Sequence, residues 1–195
     1  MGVVSSFESI FGWISFAIIT GILYGRFSRP SARLLYSENA LIAPHENGKA
    51  LHFRIANKRR SNLMEMEATV MLMTVTRDEN GKGILKRNFQ RLPLQINYIL
   101  FFPLNWTIVH PITPESPLYK KSPNDLKDMD AEILIMIKGF DDTFSQVVHS
   151  RYSYKWNELV WNATFTPAYD TQPSGDIDLY FDKLNDYRQG AETGK

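Results

Sequence analysis

The sequence predicts a mainly β protein, an antiparallel β-sandwich preceded by one transmembrane α-helix. Three observations predict this class: a long apolar run near the N-terminus, a series of alternating strand-like segments after it, and enough apolar residues for a core. The 195 residues are 44% hydrophobic and 13% aromatic, which suits one domain of about 150 residues and an appendage. We expect residues 1–34 to hold the helix and a basic linker, and residues 35–195 to hold the β-domain with a polar C-terminal tail.

The apolar run Val3–Tyr24 carries a single formal charge and, as a helix, would span roughly 33 Å, close to the hydrocarbon thickness of a bilayer. A secretory signal is the alternative, but signals carry basic residues before the apolar run and end in a small-residue cleavage site. Here Arg26, Arg29 and Arg33 follow the run, and no such site precedes them. The positive-inside bias therefore predicts a cell-membrane protein whose residues after Tyr24 are cytoplasmic.

Glu8 is the charged residue of this run. A carboxylate at membrane depth costs about 2.5–3.5 kcal/mol, and such residues usually face a helix-bundle interior or a water-filled path. Alternatively, Glu8 is close enough to the helix end for its carboxylate to reach the headgroups. Gly12 and Gly21 suit a helix that packs closely or bends, although glycine is also ordinary in membrane helices.

Period-two patterns predict the strands of the β-domain, because alternation of apolar and polar residues is typical of half-buried strands. The predicted strands are Leu51–Asn57, Glu67–Thr76, Ile96–His110, Ala131–Phe140 and Glu158–Pro167. The predicted turns are Asn47-Gly48, Asn80-Gly81, Pro111, Ser122–Asp125 and Gln172–Gly175. Short strands at such intervals favour an antiparallel sandwich, and the segment that Ser122 caps ahead of Leu126 predicts a short helix.

Composition and motifs exclude several function classes. The 22 basic and 21 acidic residues nearly balance, so no polycationic surface indicates a nucleic-acid partner. The absence of cysteine excludes disulfides and cysteine-ligated metals. The four histidines are scattered, and the sequence has no HExxH, G-x-S-x-G or glycine-rich phosphate loop, so we predict neither an enzyme nor a metal site. His110 suits a strand end better than a catalytic base.

Segments along nearly the whole chain resemble the inward rectifier potassium channel family, and its prokaryotic members most closely. "FESIFGWISFAIITGILYGRFSRP" resembles the family's pore-lining inner helix and its "ARF-x-RP" ending, with Gly25 in place of the alanine. "ALIAPHENGKALHFRIANKRRSNLMEMEATVMLM" resembles its first cytoplasmic strands, and "TIVHPITPESPLY" its H-x-I-x-x-x-S-P-L segment. "IKGFDDTFSQ" resembles the loop at the apex of the cytoplasmic pore, and "YSYKWNELVW" the strand that follows.

The resemblance implies an immunoglobulin-like β-sandwich in the cytoplasm and a homotetramer that passes potassium ions. It also implies anionic lipids as regulators, no cofactor, and a place among voltage-gated channels. The family's filter, T-I/V-G-Y/F-G, does not occur in these residues. We therefore expect this chain by itself to lack the carbonyl ring that selective conduction needs.

The resemblance assigns a gate to the helix. Tyr24 falls where the family places a bulky side chain at the inner-helix bundle crossing, so four copies would form a hydrophobic constriction, with Gly12 or Gly21 letting the helices splay. Alternatively, Tyr24 is an interfacial aromatic anchor. Strong rectifiers hold polyamines with an acidic residue of the inner helix, and Phe16 occupies that position here.

The resemblance assigns a cytoplasmic pore to two segments. Glu65 matches an acidic position that faces this pore, where a fourfold ring would concentrate cations. Gly139–Ser145 would form the apical loop, to which Phe140 belongs and in which Asp141 and Asp142 add charge. Lys138 stands where strong rectifiers have an acid, so we expect weak polyamine block.

Arg26, Arg29, Arg59 and Arg60 match basic positions that meet anionic lipid headgroups. The alternative for Arg59 and Arg60 is an ordinary solvated strand end. Two other classes of protein remain open: a membrane-anchored β-sandwich that only binds partners, and a soluble sandwich enzyme preceded by a processed signal.

Overall fold

The computed structural model describes residues 2–27, 33–46, 48–58, 62–77, 85–171 and 177–190. The chain divides into two compact units, Met1–Ser31 and Ala32–Lys195. The first unit is a helix and the second is built almost entirely of strands. The mainly β class with one N-terminal apolar helix is therefore confirmed.

Helix α1 spans Gly2–Phe27 and so continues past the predicted end at Tyr24. Its stretch Phe7–Gly25 has a mean hydropathy of 1.5, and in the described part of the chain it is the helix long and apolar enough to cross a membrane. Every side chain of this stretch is exposed in the isolated chain. A helix that is apolar on all sides needs a nonaqueous environment or partner helices.

The first sheet is organised around β3 (Gly48–Asn57). One edge of β3 pairs antiparallel with β2 (Ala40–His45) and then with β1 (Leu34–Tyr36), and the other edge pairs with β7 (Asn105–Pro111). Strand β10 (Leu159–Trp161) pairs in parallel with β2 on the far side.

The second sheet is organised around β4 (Leu63–Arg77). One edge of β4 pairs with β8 (Glu132–Asp141), which in turn pairs with β9 (Gln146–Lys155). The other edge pairs with β5 (Leu85–Arg91) and then with β6 (Tyr98–Phe101), all antiparallel.

The two sheets share one hydrophobic core. The first sheet contributes Phe53, Ile55 and Ile108, and the second contributes Leu72 and Ile135 among others. Alternate residues of β8 are buried, as expected for a strand with one face on the core. A sandwich follows from this packing, because each sheet buries one face against the other.

Two predicted strands are wrong as single elements. The run Ile96–His110 divides into β6 and β7 around Pro103, which has no N–H to donate to a ladder. The run Glu158–Pro167 divides at Asn162, whose φ of 55° interrupts the extended backbone between β10 and β11 (Ala163–Phe165).

The remaining elements are short. Strand β11 pairs with β14 (Tyr187–Gln189), and β12 (Tyr169–Thr171) pairs with β13 (Ile177–Leu179). Helix α2 (Pro123–Asp128) confirms the prediction at Ser122, whose side chain accepts a hydrogen bond from the Asp125 N–H in a capping box. Strands β2 and β3 flank the predicted turn at Asn47-Gly48; Asn47, Asn80-Gly81 and Gln172–Gly175 lie outside the described residues.

Candidate pore-lining and lipid-facing site

The predicted helix residues Glu8, Gly12, Phe16 and Tyr24 all lie on one i, i+4 ridge of α1. Successive members are about 40° apart around the axis, so the ridge winds by about 160° from Glu8 to Tyr24 in a straight helix. Such a ridge is inclined by about 26° to the helix axis. Glu8, Gly12 and Phe16 therefore lie within about 80° of one another around the axis, whereas Tyr24 faces nearly the opposite side from Glu8. Gly21 lies off this ridge.

Glu65 occupies a β-bulge in β4. Met64 pairs with Phe140 and Glu67 pairs with Lys138, so β4 has one more residue than β8 between these two positions. Glu65 has a φ of 52° and an exposed side chain. Because bulges redirect side chains, this one turns Glu65 outward beside the end of β8.

Gly139 of β8 packs directly against the bulge. A Cβ at this position would overlap the sulfur of Met66, which is fully buried, and would lie 3.4 Å from its methyl carbon. The bulge that turns Glu65 outward therefore directs its neighbour Met66 into the space that Gly139 leaves. This glycine is needed for close approach rather than for an unusual backbone angle.

The apical loop is shorter than predicted. Residues Gly139–Asp141 continue β8, and the turn between β8 and β9 comprises only residues 142–145. The side chain of Asp141 is 1% exposed and its Oδ1 accepts hydrogen bonds from the backbone N–H groups of Thr143 (3.0 Å) and Phe144 (3.3 Å). Asp141 thus holds the turn, while Asp142 is exposed. Ser145 closes the turn with a φ of 49°.

Lys138 lies in a row of charged residues on the solvent face of the second sheet. It pairs in register with Glu67 on one side and with His149 on the other, and all three side chains are exposed. Cross-strand neighbours on one face have Cβ atoms about 5 Å apart. The positive charge of Lys138 on β8 therefore lies next to the carboxylate of Glu67 on β4.

Little of the predicted lipid-binding set is described. Arg29, Arg59 and Arg60 lie outside the described residues, and for Arg26 only the backbone, in α1, is described. Lys58, which precedes Arg59, donates its backbone N–H to the carbonyl of Arg33 at 3.0 Å. The end of β3 therefore lies beside the point at which the chain enters the sandwich.

His110 has a structural role near the end of β7. Its Nδ1 hydrogen bonds to the Pro93 carbonyl and its Nε2 lies 2.8 Å from the Ser116 hydroxyl, which accepts a hydrogen bond from the Leu118 N–H. The H-x-I-x-x-x-S-P-L pattern therefore describes a buried polar link that folds residues 111–118 back on the strand. Burial lowers the pKa of His110, which favours the neutral ring.

His52 and Arg54 lie two residues apart on the outer face of β3, under the C-terminal segment. The Arg54 Nη1 donates to the Thr166 carbonyl at 2.7 Å, and its guanidinium lies over the Phe165 ring. Burial, together with His45 and Arg54 nearby, lowers the pKa of His52 to about 4. Among the described residues, no group of three or more His, Cys, Asp or Glu lies close enough together to hold a metal ion.

Sequence reasoning missed a tyrosine and serine cluster, here called the tyrosine cluster, that joins the two sheets. The Tyr36 hydroxyl donates to the Ser150 hydroxyl at 2.8 Å, and the Tyr36 ring stacks on Tyr152 with centroids 4.5 Å apart. The buried Tyr154 hydroxyl donates to the Ser37 carbonyl at 2.7 Å. The alternation of hydroxyl side chains in "SRYSY" was the available signal, since it places Ser150, Tyr152 and Tyr154 on one face of a strand.

With the geometry described, the chain can be compared with known proteins. Residues 34–192 match the profile of the inward rectifier potassium channel C-terminal domain. The chain belongs to the inward rectifier potassium channel family. This match covers the whole described sandwich, from β1 to β14.

Three relatives extend the comparison. The chain is 31% identical to the inward rectifier potassium channel Kirbac3.1 of Paramagnetospirillum magnetotacticum over 182 residues, which cover 93% of this chain and 61% of the relative. It is 28% identical over 169 residues to the ATP-sensitive inward rectifier potassium channel 12 of Mus musculus and that of Bos taurus, covering 83% of this chain and 39% of each relative. The chain thus spans less than two thirds of the length of these relatives. Of these three, the bacterial protein is the more similar.

The family settles three expectations. Its members are potassium channels rather than enzymes, with potassium as the permeant ion and no cofactor, as predicted. The place among voltage-gated channels is wrong for inward rectifiers.

Proposed function

We propose that this chain is a subunit of an inward rectifier-type potassium channel that works as a homotetramer in the cell membrane. The carrying observation is the family match over residues 34–192, joined to an alignment with the bacterial channel that covers 93% of the chain. In this proposal α1 lines the pore and the sandwich extends it into the cytoplasm. The selectivity filter, absent from these residues, has to be supplied by other residues of the complete channel.

The exposed side chain of Tyr24 and its place at the end of the apolar span support it as the gate. The side chain of Tyr24 is 76% exposed in the isolated chain, at the cytoplasmic end of the apolar span. When four tilted helices converge at this level, four tyrosine rings narrow the path enough to exclude water. Gly12, twelve residues before Tyr24 in α1, gives the helices a point of close approach or bending.

The bulge and the turn support a cytoplasmic pore at one end of the second sheet. Glu65 and Asp142 are both exposed. They lie at the same end of the sheet, because Leu63 of β4 pairs with Asp141 at the last position of the ladder. A fourfold ring of these acids would raise the local cation concentration. Lys138 opposes this effect beside Glu67, which is the basis for proposing weak polyamine block.

The lipid-binding role of Arg26, Arg29, Arg59 and Arg60 is supported by connectivity. Arg26 directly follows the apolar span Phe7–Gly25, and Arg59 follows the residue that hydrogen bonds to Arg33. Each basic side chain close to an anionic leaflet contributes about 1 kcal/mol to membrane binding.

Two experiments test the proposal. Light scattering of the full chain in detergent should give the mass of a tetramer, whereas monomers at all concentrations would favour the anchored binding module. In a channel completed with the outer helix and filter of the bacterial relative, Tyr24→Ala should raise rubidium flux and leave potassium selectivity unchanged. Leu23→Ala is the matched control, at the same depth but about 100° around the helix. Equal flux in the two variants would make Tyr24 an interfacial anchor and move the gate to another level.

A further inference from the structure

The tyrosine cluster joins two elements that have different places in the chain. Tyr36 belongs to β1, the three-residue strand that begins directly after Arg33, where the chain enters the sandwich. Ser150 and Tyr152 belong to β9, the strand that follows the apical turn 142–145. β1 lies at the edge of the first sheet and β9 at the edge of the second. The cluster is therefore a contact between sheet edges.

The half of β9 next to the turn has few other anchors. Of its residues 146–149, only Val148 is buried, and in the described part of the chain β9 pairs with β8 alone. Ser150 lies five residues after Ser145, at a distance of about 16 Å along an extended strand. Its hydrogen bond to Tyr36 is thus a polar link between the first sheet and the half of β9 that leaves the turn.

The Tyr36 hydroxyl has a role that ring packing alone does not explain. A phenylalanine would keep the stack on Tyr152, in which the rings are 5° from parallel. Only the hydroxyl reaches Ser150. Burial raises the pKa of Tyr36 to about 12, so the group stays a neutral donor throughout the physiological range.

The second anchor of the cluster lies next to the first. Ser37 is fully buried, and its Oγ accepts a hydrogen bond from the Arg54 N–H at 3.1 Å and donates to the Asn39 carbonyl. The carbonyl of Ser37 accepts from Tyr154. β1 is thereby held both to β3 and to β9, and a displacement of β1 along its axis has to be shared by both strands.

We propose that Tyr36 is a positioning residue, which through its hydrogen bond to Ser150 fixes strand β9 and the apical turn to the strand by which the chain enters the sandwich. Its consequence for gating rests on the proposed function: a shift of the linker would be passed to the turn at the mouth of the cytoplasmic pore. The contact itself needs no conduction, so it can be tested without a complete channel.

The test is hydrogen–deuterium exchange of the full chain in detergent. Tyr36→Phe and Ser150→Ala should each accelerate exchange about two- to ten-fold in peptides covering residues 141–152, because a net hydrogen bond contribution to local opening has that size. Exchange in β3 and β7 should remain as in the wild type. Tyr187→Phe, at an exposed tyrosine of β14, is the matched control and should change neither region.

A double variant separates a direct link from general loosening. If the two hydroxyls act through one hydrogen bond, Tyr36→Phe combined with Ser150→Ala should exchange no faster than either single variant. Additive acceleration, acceleration spread equally over β3 and β7, or unchanged exchange at the turn would each overturn the proposal. None of these outcomes depends on tetramer assembly, so a failure of the channel proposal would be recognised separately.

Discussion

Replacement of Gly139 by alanine is the sharpest test of how the bulge and the apical hairpin are built. The added Cβ would overlap the sulfur of Met66, a side chain that is 1% exposed in the core between the sheets. Met66 cannot leave toward solvent, so it has to change rotamer within a packed environment. Overpacking of this kind costs about 1–3 kcal/mol.

The cost should appear as a lower melting temperature of the full chain in detergent. For a domain of this size, each kcal/mol shifts the midpoint by about 2–4 °C, so Gly139→Ala should melt about 2–12 °C below the wild type. Gly48→Ala is the matched control, since a Cβ at Gly48 meets no atom within 4 Å and its backbone angle is open to any residue. Circular dichroism at a strand-sensitive wavelength follows both variants.

The double variant Gly139→Ala with Met66→Ala tests the mechanism. With the Met66 sulfur removed, the alanine at 139 should cost less than in the wild-type background, because the two side chains compete for one space. Equal melting of Gly139→Ala and Gly48→Ala would refute the close-packing account of this glycine. Strict additivity in the double variant would refute the assignment of the effect to Met66.

Three further predictions concern titration, capping and lipids. The pKa of His52 is near 6.5 in the unfolded chain and about 4 in the folded chain, so the contribution of this histidine to stability is present above pH 6.5 and is lost as the pH falls toward 4. His52→Gln should therefore flatten the pH dependence of the free energy of unfolding in urea between pH 6.5 and 4, and an unchanged pH dependence would contradict this assignment. Ser122→Ala should cost about 1 kcal/mol in urea unfolding while Ser122→Thr keeps most of the capping, and equal losses would show that the cap is not the cause. Arg26→Ala with Arg29→Ala should weaken binding to anionic but not zwitterionic liposomes, and less so in high salt; wild-type binding by this variant would argue against a lipid-facing role.

The sequence predicted the class of fold because its signals were local. Alternating residues marked β3, β4 and β8, and Ser122 as a cap ahead of Leu126 marked the start of α2. The run from Ile96 was wrong as one strand because its apolar pattern continues across Pro103, whose effect is on backbone pairing rather than hydropathy. A local pattern of apolar and polar residues shows which face of a strand is buried, but it does not show where the hydrogen-bonded ladder between strands is interrupted.

The candidate site was less predictable for a different reason. Glu65, Asp142 and Tyr24 were found from motif resemblance, which locates positions without showing their contacts. The buried state of Asp141, the fit of Met66 under Gly139 and the bond from Tyr36 to Ser150 all join residues on different strands. Nothing in the spacing of one strand encodes the register of its neighbour, so these contacts appear only once the sheets are assembled.

The parallel pair of β2 and β10 has a consequence for how the protein folds. Leu159 pairs with Ala40, so β2 lies between β3, which follows it directly in the chain, and β10, which follows 119 residues later. On the ribosome, β2 would emerge early and wait unpaired on that edge until almost the entire domain has been synthesised. Contacts of such long sequence separation slow folding, since the loop must be closed before the pairing stabilises it. We therefore expect the sandwich to acquire its last edge late, with β2 as the segment most exposed to mispairing during synthesis.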